Sequence, residues 1–235
     1  MKRIDKLLAE LNFGSRKTVR QMIKQKRVQV NGVIIQQSDF KIAEVDNLVV
    51  DGQVIEHQSL VYYLLNKPKG YISATEDLSQ RTVLELIDEL DRRKGLFPVG
   101  RLDKDTTGLL IITNDGMLAH QLLSPKNHVD KVYFAEIQGI VSEQLIEVFA
   151  DGLLVSKDFK ALPSELEVLK SDTISEIKLT IHEGKFHQVK RMFKAVGLEV
   201  LNLDRIQMKA LTLGQLKRGS YRKLTANEIE SLKNI

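Results

Sequence analysis

The chain has 235 residues, 43% hydrophobic and 28% charged, a balance that fits one large folded domain or a medium and a small one and excludes a disordered chain. It has no cysteine, which removes disulfides, thiol nucleophiles and Cys-based zinc or iron–sulfur sites, so its chemistry must come from oxygen and nitrogen side chains. The net charge of +4 is by itself a weak sign of a polyanionic partner; no apolar run is long enough to span a bilayer, and the charged start Met1-Lys2-Arg3 is unlike a signal peptide, so a cytoplasmic protein is expected.

Residues 1–58 read as a compact helical module with a small sheet. Ile4, Leu7, Leu8 and Leu11 recur at helical spacing, and Gly14 stands where that helix is expected to stop. Ser15 offers an N-cap for a second helix whose apolar side is Val19, Met22 and Ile23 and whose opposite side carries Arg16, Arg20 and Lys24. Two short runs, Val28 to Ile35 and Leu48 to Ile55, are each broken by a turn dipeptide, Asn31-Gly32 and Asp51-Gly52, which predicts two hairpins. Between Gly14 and Gly32 lie six cations, Arg16, Lys17, Arg20, Lys24, Lys26 and Arg27, and no acid. Such a stretch is either a solvated helix face or the electrostatic footprint of phosphate binding.

The remainder, residues 59–235, reads as a mixed α/β series, with the boundary set by the change of pattern rather than by a linker composition. Val61 to Leu65, Leu109 to Thr113, Val132 to Ile137 and Glu176 to Ile181 predict strands. Thr82 and Glu85 predict a capping box opening an amphipathic helix, and further helices are expected from Ser142, from about Phe186 to Val196, and from Thr225, the last with a capping box to Glu228.

The densest chemistry lies in Gly100-Arg101-Leu102-Asp103-Lys104-Asp105-Thr106-Thr107-Gly108, a Gly-bounded loop of acids, cations and hydroxyls that feeds an apolar strand. The glycines permit a tight backbone, and the strand gives Asp103 a rigid base from which to face a cleft. An ordinary turn is the competing reading of the loop. Three other segments stand out: Leu65-Asn66-Lys67-Pro68-Lys69-Gly70-Tyr71, Lys131-Val132-Tyr133, and Glu183-Gly184-Lys185-Phe186-His187-Gln188-Val189-Lys190-Arg191-Met192-Phe193.

In these four segments and their order the chain resembles pseudouridine synthases of the branch that modifies small- and large-subunit ribosomal RNA, with the small-subunit enzymes the nearest in pattern. Arg3-Ile4-Asp5-Lys6-Leu7-Leu8, Ser15-Arg16 and Val28-Gln29-Val30-Asn31-Gly32 resemble the S4 RNA-binding domain. The resemblance implies an α+β protein, an S4-like module over 1–58 and a catalytic domain over 59–235 built on a mixed, largely antiparallel sheet flanked by helices. It implies Asp103 as nucleophile or base, Tyr133 as a platform for the flipped uracil, and a cation from the Lys190 region to offset the burial of Asp103. Relatives commonly carry Arg where this chain has Lys190, so whether Lys190 or Arg191 faces Asp103 is open. So is the atom that Asp103 addresses, C1′, C6 or a ribose proton. Arg101 either fills the gap left by the extruded base or pairs with Asp105. Arg16, Lys17, Arg20, Lys24, Arg27, Lys67, Lys69, Lys185, His187 and Arg191 are the remaining candidate RNA contacts.

No metal or cofactor is expected: His182 and His187, five apart, fit no ligand pair, and the loop lacks both the phosphate-loop Gly-Lys-Ser/Thr and the Gly-x-Gly-x-x-Gly fingerprint. Two other readings compete with the synthase: a non-catalytic S4-type ribosome assembly factor, and a hydrolase using Asp103 and Asp105 as an acid/base pair. The expected partner is ribosomal RNA of the small subunit, free or assembling, and a monomer is expected because no apolar interface stripe is visible.

Overall fold

A computed structural model of the protein describes residues 1–43, 45–55, 57 and 60–234. They form two units, Met1–Val61 with Ile87–Leu96, and Tyr62–Leu86 with Phe97–Ile235. The boundary expected at 58/59 lies outside the described residues. No helix among those described is long and apolar enough to cross a membrane.

The first unit holds α1 (Ile4–Glu10) and α2 (Arg16–Lys24) against a four-stranded antiparallel sheet. Ile4, Leu7, Leu8 and Leu11 pack with Val19, Met22 and Ile23 on the sheet residues Val28, Val30, Leu48 and Val50. Both expected hairpins are present, and both turns need two left-handed residues: Asn31 and Gly32 at φ 51° and 79°, Asp51 and Gly52 at 51° and 81°. Those dihedrals match the right-handed twist of the strands. α1 stops before Gly14, because the chain already turns left-handed at Asn12, φ 64°. Ser15 caps α2, its Oγ accepting from the Thr18 N–H at 3.2 Å. Asp5 is fully buried on α1 and accepts from Arg3 at 3.1 Å and Arg20 at 3.2 Å. Hydrogen bonding from Arg3, and then from Arg20, outweighs burial and holds this carboxyl below the usual carboxylate range.

The second unit is built on one sheet whose main path runs Glu165–Lys170, Ile174–Ile181, Lys131–Gln138, Glu199–Met208, Thr107–Thr113, Tyr62–Lys67, Tyr221–Lys223. Every neighbouring pair on it is antiparallel except Glu199–Met208 with Thr107–Thr113, which is parallel. Helices α3 (Gly116–Leu123), α4 (Gln144–Ala150), α5 (Gln188–Ala195) and α6 (Ala226–Lys233) complete the unit. Alternation in Lys131–Gln138 buries Lys131, Tyr133, Ala135 and Ile137 on one face, and Phe149 of α4 meets Phe193 of α5 at 5.1 Å between ring centres. The capping box of Thr225 and Glu228 forms as expected, and Arg222 binds the same carboxylate, holding it down to about 2.

Two expected helices differ from the pattern. The Thr82 capping contact forms, with the Thr82 N–H donating to Glu85 Oε1 at 2.6 Å, but only a single 3₁₀ turn, Val83–Leu86, follows. Val83 and Ile87 bury their side chains at the two ends of that turn, and the charged run after Ile87 supplies no further apolar face to dock a helix. α4 starts at Gln144, not Ser142: the Ser142 carbonyl accepts from the Leu145 N–H at 3.1 Å while Glu143 takes the capping position.

The parallel pair matters most for function. Its register sets Gly108 beside Arg205, and Arg205 also opposes Tyr133 on the next strand, so the Asp103 loop and Tyr133 end on one row. This approach requires glycine at 108. Its φ is +102°, and an added Cβ would stand 2.3 Å from the Arg205 carbonyl oxygen and 2.4 Å from Asp204 Oδ1. Gly108→Ala is therefore expected to cost about 2–5 kcal/mol in chemical unfolding, combining forced strand separation with backbone strain; an unchanged midpoint would show that the strands yield freely.

Candidate active site

The loop from Gly100 to Gly108 is fastened from below by the Lys67 to Ser73 segment. Lys67, with no exposed surface, donates from Nζ to the carbonyls of Asp103 at 2.9 Å, Thr106 at 2.8 Å, Pro68 at 3.2 Å and Lys104 at 3.4 Å. Ser73 Oγ donates to the Leu102 carbonyl at 2.9 Å and accepts the Leu102 N–H at 3.0 Å, and the Gly70 N–H reaches the Lys104 carbonyl at 2.8 Å. Burial pushes the Lys67 ammonium down to about 8, against the opposing pull of Asp105 and Asp103. The expectation that Lys67 touches RNA is thus corrected: a side chain enclosed by four carbonyls has no donor left for a phosphate. Its motif marked the residue, but only the fold reveals that the charge points inward.

Above the loop, Asp103 has a quarter of its side chain exposed, with Oδ1 3.4 Å from His187 Nε2 and Oδ2 3.4 Å from Lys190 Nζ. Lys190 binds Asp105 more closely, at 2.7 and 2.8 Å. Burial raises the Asp105 carboxyl, yet the hydrogen bond and charge of Lys190 outweigh it and the net shift is downward. Two-thirds of the Asp105 side chain is in solvent, so water screens that pair, and much of the Lys190 field remains for the less exposed Asp103. Asp105 as the tighter partner of Lys190 was not legible from spacing.

α5 delivers these groups because Val189, Met192 and Phe193 bury against the sheet, leaving Lys190 and His187 toward the loop. Arg191 turns elsewhere, its Nη2 donating to Ser156 Oγ at 3.2 Å and its guanidinium lying 5.0 Å from the Phe159 ring centre. The turn into α5 is braced by two buried residues that sequence reasoning passed over: Gln188 Nε2 donates to Glu183 Oε1 at 2.9 Å, and Gln188 Oε1 accepts the Lys185 N–H at 2.9 Å. The signal was present in the Glu183 to Phe193 run, where apolar spacing leaves Gln188 on the buried side beside Met192.

Tyr133 is 7% exposed and lines the cleft with Asp103, Arg101, Lys185 and His187, over a floor that includes Ile181 and Leu203. Arg101 is exposed, and the ion pair weighed between it and Asp105 is absent among the described residues, since Lys190 takes that carboxylate. Lys69 is exposed and donates to Asn202 Oδ1 at 2.6 Å. In the first unit, Arg20 is tied to Asp5, and Arg27 to Asp51 at 2.7 and 2.6 Å, while Arg16, Lys17 and Lys24 are exposed. No group of three His, Asp or Glu gathers as metal ligands among the described residues.

The geometry is one carboxylate flanked by a cation and an imidazole, facing a phenol in an apolar-floored cleft. The sequence model of the RNA pseudouridylate synthase family matches residues 61–195, which contain all of these groups, and that of the S4 domain matches residues 2–48. The chain belongs to the RNA pseudouridylate synthase family. It is 41% identical to an uncharacterized RNA pseudouridine synthase of Bacillus subtilis (strain 168), over 98% of each chain. It is 39% identical to ribosomal small subunit pseudouridine synthase A of Escherichia coli (strain K12), over 98% of this chain and 99% of the other. To ribosomal large subunit pseudouridine synthase B of Bacillus subtilis the identity is 37%, over 100% of this chain and 97% of the other. A solved pseudouridylate synthase superposes with a TM-score of 0.69 at 34% identity, covering 99% of this chain and all of that one.

In this synthase, Lys190→Ala is expected to lower kcat about 10²–10³-fold by removing the one lysine ammonium that, among the described residues, lies within ion-pair distance of Asp103. Lys190→Arg should keep activity within about tenfold, because a guanidinium can span both carboxylates. Equal loss in both variants, by single-turnover kinetics, would point to packing rather than charge.

Proposed function

We propose that this RNA pseudouridine synthase isomerises a uridine of small-subunit ribosomal RNA in the cytoplasm, acting as a monomer. The reading divides the labour: residues 1–58 dock the RNA through Arg16, Lys17 and Lys24, and residues 59–235 carry out the reaction. The observation that carries it is the Asp103 carboxylate held between Lys190 and His187 at the mouth of a cleft whose wall is Tyr133.

A base in a duplex is out of reach of such a cleft, so the target nucleotide leaves its stack and its uracil enters against the Tyr133 ring. Asp103 acts on the nucleotide as nucleophile or base, the C1′–N1 bond breaks, the uracil turns within the cleft, C5 bonds to C1′, and the C5 proton departs to solvent. No atom is gained or lost apart from that proton, which the uracil regains at N1. The apolar floor of Ile181 and Leu203 lets the detached base rotate without surrendering fixed hydrogen bonds. Lys69, Lys185 and exposed Arg101 supply cations for the flanking phosphates.

The small-subunit target rests on the likeness to small subunit synthase A. Pseudouridine mapping of total ribosomal RNA from cells with and without this gene tests it. The expected result is the loss of one or a few pseudouridines from small-subunit RNA; loss from large-subunit RNA would move the target, and an unchanged map would remove the activity.

A further inference from the structure

We infer that Phe186 is a stacking platform for an unpaired RNA base adjacent to the nucleotide that enters the cleft, so that the synthase requires its target to lie in a single-stranded segment. The inference rests on the RNA synthase reading above. Phe186 is 75% exposed, and its two chain neighbours, Lys185 and His187, both line the cleft. Its ring lies nearly parallel to that of His187, with centres 3.7 Å apart and 19° between planes, and His187 in turn sits 3.4 Å from Asp103. A short column of two stacked rings therefore starts beside the carboxylate and ends in an aromatic ring open to solvent.

The column is held from behind. His187 occupies the left-handed conformation at φ 49°, and the turn around it is braced by the Gln188 and Glu183 contacts. Lys185 and Arg101, both exposed, flank it with positive charge. A solvent-facing aromatic between cations is how proteins hold single strands: every base has a π-face, and the cations take the phosphates. In a duplex those faces are already covered by neighbouring base pairs, so only an unpaired base can use the platform.

The test uses an RNA hairpin whose loop carries the uridine identified by mapping, with an abasic nucleotide or 2-aminopurine on either side of it. Phe186→Ala is expected to raise KM about 5- to 100-fold with kcat within about twofold, the range of one lost base stack. Phe186→Tyr should restore the parent KM. An abasic neighbour should cost the parent the same factor and cost Phe186→Ala nothing further, and 2-aminopurine fluorescence should be quenched by the parent and not by Phe186→Ala. A parent-like KM in Phe186→Ala, or an equal abasic penalty in both proteins, overturns the platform while the parent's turnover leaves the synthase reading intact. An unchanged pseudouridine map, which leaves no target uridine to place in the hairpin, overturns both.

Discussion

Replacing Asp103 with Asn is expected to lower pseudouridine formation by at least about 10³-fold while RNA affinity stays within a few-fold. Asn has the volume of Asp and can keep its place beside His187 and Lys190, but it offers neither a negative charge nor a nucleophilic oxygen. Affinity survives because it depends on phosphate contacts spread over many cations, none of which this change removes. Lys190 keeps its closer contacts to Asp105, so the local structure holds. Pseudouridine formation followed by chemical mapping, with affinity from gel shifts at one stated salt concentration, checks both halves. Parent-like turnover in the variant would remove Asp103 from the reaction, and loss of binding together with activity would make it a structural residue.

The second large effect is expected at Lys67. Lys67→Met preserves most of the side chain's length and apolar stem but leaves the carbonyls of Asp103, Lys104, Thr106 and Pro68 without their common donor. The Asp103 carbonyl keeps the Thr106 N–H at 3.1 Å and the Lys104 carbonyl keeps the Gly70 N–H at 2.8 Å. The Thr106 and Pro68 carbonyls lose the lysine donor, at about 1–3 kcal/mol for an unpaired buried carbonyl, so the change is expected to remove a few kcal/mol of stability or to let the loop rearrange. Either outcome displaces Asp103, and activity is expected to fall at least about 100-fold even where the variant remains folded.

A pH signature separates this role from packing. Lys67 titrates at about 8 in the folded protein against an ordinary value of 10.5, so between those values the unfolded chain holds the extra proton. Its contribution to stability rises with pH across that window, by up to about 1.4 kcal/mol per pH unit. Denaturant titrations from pH 8 to 10 should show that slope reduced in Lys67→Met. Lys131, also driven down to about 8 by burial, contributes a parallel slope that both proteins keep. Identical slopes would mean that Lys67 is not titrating in the folded state.

The sequence was most legible where a few neighbouring residues decide the outcome. Asn31-Gly32 and Asp51-Gly52 specified their hairpins because few residues tolerate two successive left-handed positions. Ser15 and Thr225 announced α2 and α6 because a cap needs only its own side chain and an amide three residues on. Period-two alternation set Tyr133 on the face opposite Val132 and Phe134, and the fold made that face the buried one. The Asp103 loop was visible as a concentration of unlike polar groups between two glycines.

Other features depended on residues distant in sequence. Lys67 reads as a surface cation until carbonyls 36 to 39 positions away close around it. Arg20 and Arg27 belong to an acid-free basic stretch, yet each is offset by a carboxylate from outside it, Asp5 and Asp51. Thr82 formed its capping contact and still opened no helix, because an apolar stripe stabilises a helix only if a partner surface lies along it. Between Lys190 and Arg191, two adjacent cations on one helix, the choice fell to the parallel pairing that carries the Asp103 loop past α5, together with the burial of Val189, Met192 and Phe193 that sets the rotation of that helix. Local dihedral preference and periodicity are short-range and so can be read along the chain; whether a charge ends in solvent, against an acid or inside a ring of carbonyls depends on what folding brings beside it.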